Sequence, residues 1–161
     1  MDLSKILAIS GKPGLYRNIA QTKTGVVVES LIDGKRFPAF GHERISSLAE
    51  ISIFTTGEDV SLKTVLKKIS DKYEGQKVLD HKASGAELRD FMDEILPDYD
   101  KERVYSSDIK KLVMWYNLLV EKGLLDFSDE DNEETKPSSD EESAQSSETV
   151  DEAQTTESDN E

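Results

Sequence analysis

Cysteine is absent from the 161 residues, histidine occurs twice and tryptophan once. Without thiols there are no disulfide staples, thiolate nucleophiles or cysteine-ligated metal sites, and the composition fits a reducing compartment. His42 and His81 sit in the charged settings His42-Glu43-Arg44 and Asp80-His81-Lys82. Neither has the i, i+4 spacing or the His/Cys cluster of a metal site, so both read as exposed loop residues. Long apolar runs are missing too. None approaches the ~18 residues of a membrane span. The N-terminal run Ile6 to Ile9 is too short, and follows an acid at position 2, for a secretory signal. A cytoplasmic protein is expected, with no membrane association, no metal, no cofactor and no small-molecule substrate.

Catalytic signatures are equally scarce. Gly11-Lys12-Pro13-Gly14 has the glycines and lysine of a phosphate-binding loop but lacks the Gly-Lys-Ser/Thr at fixed spacing, so it reads as a plain turn. Asp90, Asp93 and Glu94 fall on the solvent phase of a helical pattern. Asp98, Asp100 and Glu102 lack calcium-loop spacing. A non-enzymatic protein follows.

Acid dominates the charge, but unevenly. The net charge is -14, and Ser128 to Glu161 holds 14 of the 34 acids against the single Lys136. The body is close to neutral. Apolar residues nearly vanish from the tail, which cannot offset the ~1 to 2 kcal/mol per residue that backbone ordering costs. Disorder is expected for 128–161.

The body is organised around Gly25 to Phe40. Val26, Val28 and Ile32 lead into Asp33-Gly34, a pair suited to a two-residue primed turn, and Phe37 and Phe40 follow on a returning strand. Pro38 places that strand at a sheet edge or a bulge. Upstream, Leu3, Ile6, Leu7 and Ile9 fit either a short helix or an entry strand. Leu15 to Thr22 reads as a strand, with Leu15, Ile19 and Tyr16 as inward candidates. Downstream, His42 to Ile45 extends the sheet, Ser46 to Glu50 gives one helical turn, and Ile51, Ile53 and Phe54 give a last short strand. Such a run of short strands suits an SH3-like barrel.

After Gly57 the period lengthens. Ser61 caps a helix through Leu62, Val65, Leu66, Ile69 and Tyr73, with Val60 placed to staple onto Val65. Ser84 and Glu87 form a capping box before Leu88, Phe91, Met92 and Ile95, and Pro97 stops that helix. Ser106 or Ser107 caps a third helix running from Ile109 to Val120. The fold class expected is α+β: a small SH3-like antiparallel β-barrel over 1–57, a three-helix unit over 58–127, and the acidic tail.

The stretches ILAISGKPGLY, ESLIDGKRFPAF, ISIFT and RVYSSDIKKLVMWYNLL resemble a family of small Bacteroidetes proteins described only as domains of unknown function. The resemblance covers roughly residues 1–125. It implies a barrel-like N-terminal unit followed by a helical one in a cytoplasmic setting, and carries no catalytic residue.

Two binding readings remain. Met114, Trp115 and Leu118 broaden the apolar surface of the third helix beyond one stripe, and Phe127 follows it, which points to a protein-interaction module with a partner protein or a second copy. Burial against the barrel would use the same residues. The alternative is RNA binding, modulated by the tail. Lys12, Arg17, Lys23, Lys35, Arg36 and Arg44 outnumber the acids between them, Lys63, Lys67 and Lys68 add a basic helix face, and Tyr16, Phe37, Phe40 and Phe54 are stacking candidates.

Overall fold

The computed structural model describes residues 2–80 and 82–127. His81 and the disorder expected for 128–161 lie outside them. The architecture is α+β. A 3-10 turn at Leu3–Lys5 leads into β1 (Ile6–Ile9), so both readings of the N-terminus hold in succession. Then come β2 (Tyr16–Thr22), β3 (Gly25–Ser30), β4 (Arg36–Phe40) and β5 (Ile45–Ser47). These five form one antiparallel sheet in the order β4-β3-β2-β1-β5. The pairing leaves β4 and β5 at the edges, sharing no ladder among the described residues. Pro38 therefore sits on an edge strand, where its missing N–H costs no ladder bond.

Strand β1 explains its own unbroken apolar run. Successive side chains point to opposite faces. Ile6 joins a large core with the helices, whereas Leu7 and Ile9 join a smaller one with Tyr16, Val28 and Ala39. A strand covered on both sides needs no polar alternation.

Two details of the sheet depart from expectation. Ile19 is not inward: the register of β2 against β3 slips between Asn18 and Ala20, leaving Ile19 at a bulge and 38% exposed. The β3–β4 connection is longer than a two-residue primed turn. Ser30 N–H donates to Lys35 O at 2.8 Å, enclosing Leu31 to Gly34, and of these only Gly34 has a positive φ, +70°. The cause is Leu31. Its N–H donates to Leu15 O at 2.9 Å and its side chain is buried in the large core, so β3 leaves its ladder with β4 after Ser30, two residues before Ile32.

The expected helical turn is a 3-10 turn at Leu48–Glu50, and Ser47 caps it by accepting from Ala49 N–H. The short strand after it does not continue the sheet. Instead β6 (Ser52–Ile53) pairs with β7 (Val60–Ser61), so Val60 serves as a strand residue opposite Ile53.

The helices are α1 (Leu62–Lys72), α2 (Gly85–Ile95) and α3 (Ser106–Glu121). Ser61 Oγ accepts from Thr64 N–H at 3.3 Å, and the Ser84–Glu87 capping box is fully formed. Neither serine caps α3. Tyr105 occupies the cap position, and Asp108 accepts its N–H at 3.0 Å, satisfying a helix-start donor with a charge suited to that end.

The large core joins Leu3, Ile6, Leu15, Leu31 and Leu48 to the buried faces of all three helices, and the described residues fall in one compact unit. Leu62, Val65, Leu66 and Ile69 of α1 are all at most 1% exposed. Burial of such a side chain stabilises by about 1.5–3 kcal/mol. The hydroxyls of buried Tyr99 and Tyr116 make no hydrogen bond of ordinary geometry among the described residues. Burial raises the pKa of both, and Ser70 opposes the rise at Tyr116. No helix among the described residues is long and apolar enough to cross a membrane.

Candidate functional site

Helix α3 is the element on which the site is built, because its apolar surface is wider than the core needs. Ile109, Leu112, Val113, Tyr116 and Leu119 turn inward and are buried. Met114, Trp115 and Leu118 lie to one side of that stripe and are half-buried. Trp115, Leu118 and Phe127 pack against the large core from its margin. The structure thus brings Met114, Trp115 and Leu118 to one boundary, where α3 faces the sheet.

Along this boundary run three adjoining depressions. The first, of 370 Å³, lies between Met114, Asn117, Leu118 and Glu121 of α3, Gly14 of the β1–β2 loop, Ile32 of the β3–β4 loop, and Lys77, Val78 and Asp80. The second, of 550 Å³, is floored by Ala8, Ile9, Ile51, Met114 and Trp115 and edged by Lys12, Arg44 and Lys111. The third, of 140 Å³, is the most apolar and is walled by Ile51, Ile53, Phe54, Leu62, Val104, Leu112 and Trp115, with Arg103, Asp108 and Lys111 at its mouth. Met114 and Gly14 are common to the first two, and Trp115, Ile51 and Lys111 to the second and third. Together they make a continuous cleft.

Two polar clasps hold its walls, and neither was legible in the sequence. Asn117 Oδ1 accepts Val78 N–H at 2.8 Å while its Nδ2 donates to Leu79 O at 2.9 Å, fastening the α1–α2 loop to α3. At the other end Arg103 donates to Asp100 Oδ2 at 2.7 Å and to Thr55 O at 3.2 Å, and lies 4.4 Å above the Phe54 ring. A lone Asn on a helix face and an Arg in a loop give no spacing signal, because their partners are remote in the chain.

The basic residues named from sequence do not form one face. Lys12 pairs with Glu43 at 2.6 Å and lies 4.6 Å over Phe37. Its hydrogen bond holds the Glu43 carboxyl below the usual glutamate range. Arg17 and Arg36 share Glu29 at 3.8 and 2.7 Å, and Lys35 pairs with Asp33 at 3.3 Å. Much of the local positive excess is thus met by neighbouring carboxylates. Lys23 is exposed at the β2–β3 turn, whereas Arg44 edges the cleft. Lys63, Lys67 and Lys68 lie on α1. Among the aromatics Tyr16 is buried and Phe40 stacks on His42 at 5.9 Å. No group of three or more His, Cys, Asp or Glu side chains that could hold a metal occurs among the described residues.

Fold and cleft define an α+β protein in which a five-stranded antiparallel sheet is backed by three helices and the junction beside α3 stays open as a groove. Residues 3–48 match the family described as Domain of unknown function (DUF5606), and residues 51–119 that described as Domain of unknown function (DUF6852). A Bacteroides vulgatus protein, solved by solution NMR as a structural genomics target, is 43% identical with a TM-score of 0.65, covering 78% of this chain and 91% of that one. The chain belongs to this family of domains of unknown function, as the Bacteroidetes resemblance implied. No curated protein matches it.

Proposed function

We propose that the chain is a non-enzymatic, cytoplasmic protein-interaction module that works through the cleft beside α3. The observation that carries this reading is the continuity of Met114, Trp115 and Leu118 with a groove that the other described residues leave open. Half-buried aromatic and methionine side chains in a concave setting are residue types that anchor partners, the aromatics because they supply rigid contact area and methionine because it adapts its shape. RNA binding draws less support. The cations named for it are spread over separate faces, and several are held by carboxylates.

Substitution on the cleft's rim tests the proposal. Full-length protein and a Met114→Glu variant serve as baits for capture from the cells that make the protein, with and without nuclease. The expected result is a stoichiometric protein in the wild-type eluate that resists nuclease and is lost from the variant, whose thermal melting is unchanged. Eluates that do not differ between the two baits, or nucleic acid as the captured species, would overturn it.

A further inference from the structure

We infer that the cleft binds an acidic peptide segment of a partner protein, anchored by one apolar side chain; this deepens the interaction reading above and rests on it. Volume and charge, two independent features of the cleft, carry the inference.

Volume sets the anchor. The 140 Å³ pocket beside Trp115 is walled by Ile51, Ile53, Leu62 and Leu112. An apolar cavity of about 150 Å³ accommodates a benzene-sized group. One leucine or phenylalanine side chain fills it. A whole helix face does not.

Charge sets what flanks that anchor. The adjoining 550 Å³ depression is edged by Lys12, Arg44 and Lys111 and has no carboxylate in its lining. Lys12 is committed to Glu43, whereas Arg44 and Lys111 have no ion-pair partner among the described residues. Lys111 borders both depressions, so a carboxylate next to the anchor residue meets it, and a second acid further along meets Arg44. Asp108, the one acid at the pocket mouth, is occupied with Tyr105 N–H. A peptide is favoured over single-stranded RNA because two uncommitted cations make a short site and not a track for a phosphate backbone. Of the exposed aromatics named as stacking candidates, Phe40 is engaged by His42 and Phe54, in the pocket wall, by Arg103.

Trp115 is the chain's single tryptophan, so its indole N–H gives one unambiguous NMR reporter inside the cleft. The full-length protein is titrated with three synthetic peptides that share a central Leu-Phe and differ in carrying Asp, Asn or Lys around it, and with a short oligouridylate. At about 0.1 M salt charges beyond about 10 Å are screened, so a preference reports close contact. The Asp peptide is expected to shift the indole saturably and to bind at least about tenfold tighter than the Asn peptide, about 1.4 kcal/mol. A double variant, Arg44→Glu with Lys111→Glu, should keep its amide spectrum and lose that preference. Equal binding of the Asn or Lys peptide overturns the acidic-segment inference while leaving the interaction reading intact. Saturation of the indole by oligouridylate at lower concentration than by the Asp peptide overturns both. An indole that none of the peptides moves removes this inference alone, and the capture experiment then decides the broader reading.

Discussion

Asn117 on α3 grips Val78 in the α1–α2 loop: its side-chain oxygen accepts the Val78 N–H at 2.8 Å while its amide group donates to the carbonyl of the next residue, Leu79. Both ends of one carboxamide are therefore spent on the backbone of two adjacent residues. Lys77 reinforces the contact through Glu121 at 2.8 Å, although an exposed pair of that kind contributes little. Because Asn117 also lines the cleft, the same side chain fixes loop and site.

Asn117→Ala should destabilise the fold by about 2 kcal/mol, two net hydrogen bonds at about 1 kcal/mol each. Hydrogen exchange localises the effect. The Val78 amide should lose protection by more than global stability falls, whereas β3 amides should follow global stability alone. Unchanged protection at Val78 would show that the loop is held by other contacts.

Tyr99 predicts an inversion of the usual rule that core truncations hurt. A buried hydroxyl without a partner carries a desolvation cost, so removing it is neutral or favourable. Tyr99→Phe should leave stability unchanged or raise it by up to about 1 kcal/mol in denaturant unfolding. Tyr99→Ala should lose about 3–5 kcal/mol through the cavity it leaves. A large loss in the phenylalanine variant would mean that the hydroxyl is bonded after all.

Gly25 opens β3 opposite Phe40, and a Cβ there would lie 2.0 Å from the Ala39 carbonyl oxygen. Backbone cannot yield as a flexible side chain does. Gly25→Ala should therefore cost at least about 1–3 kcal/mol, as overpacking does, and perturb the β3–β4 amides. A Cβ at Gly34 would meet nothing within 4 Å, so Gly34→Ala pays only for its φ of +70°, about 1–2 kcal/mol. Equal spectral change along β3–β4 in the two variants would contradict the steric account.

Glu87 makes part of the stability depend on pH. Its carboxylate accepts from the Ser84 backbone N–H and hydroxyl, both at 2.8 Å, and these bonds hold its pKa below the ordinary glutamate value. A folded-state pKa that is depressed contributes stability above the unfolded value and loses it as pH falls through the folded one. Glu87→Gln keeps a capping-box residue but removes the titration. The wild type should melt higher than the variant at neutral pH, and the gap should narrow as pH drops below about 4.3. A gap constant from neutral to acid pH would separate the cap from the charge.

How far the fold could be read in advance depended on the reach of each signal. Ser84 with Glu87, and Pro97 after Leu96, act within one turn of helix, and both boundaries fall where those residues put them. Pro38 likewise announces an edge strand by lacking a donor, whatever the rest of the sheet does. The β3–β4 loop went differently because Leu31 answers to Leu15, just ahead of β2, and that burial outweighs the turn preference of Asp33-Gly34. Ser106 and Ser107 were plausible caps by type, yet Asp108 already satisfies the helix-start donor at Tyr105. In the site, the width of the apolar surface of α3 was visible as spacing. The cleft was not, since its opposite wall comes from Ala8 to Gly14, Arg44 and Ile51.

By itself the amino-acid order determined what is local or compositional: where helices begin and stop, which strand keeps to an edge, which side chains are apolar, and the lack of thiols. Only the tertiary structure decided which cations stay uncommitted, which loop Asn117 fastens, and that Trp115 stands at the lip of a cleft. The physical reason is range. Capping and backbone preference act over a few neighbouring residues, whereas burial and charge pairing join groups distant in the chain, and those pairings exist only once the core has closed.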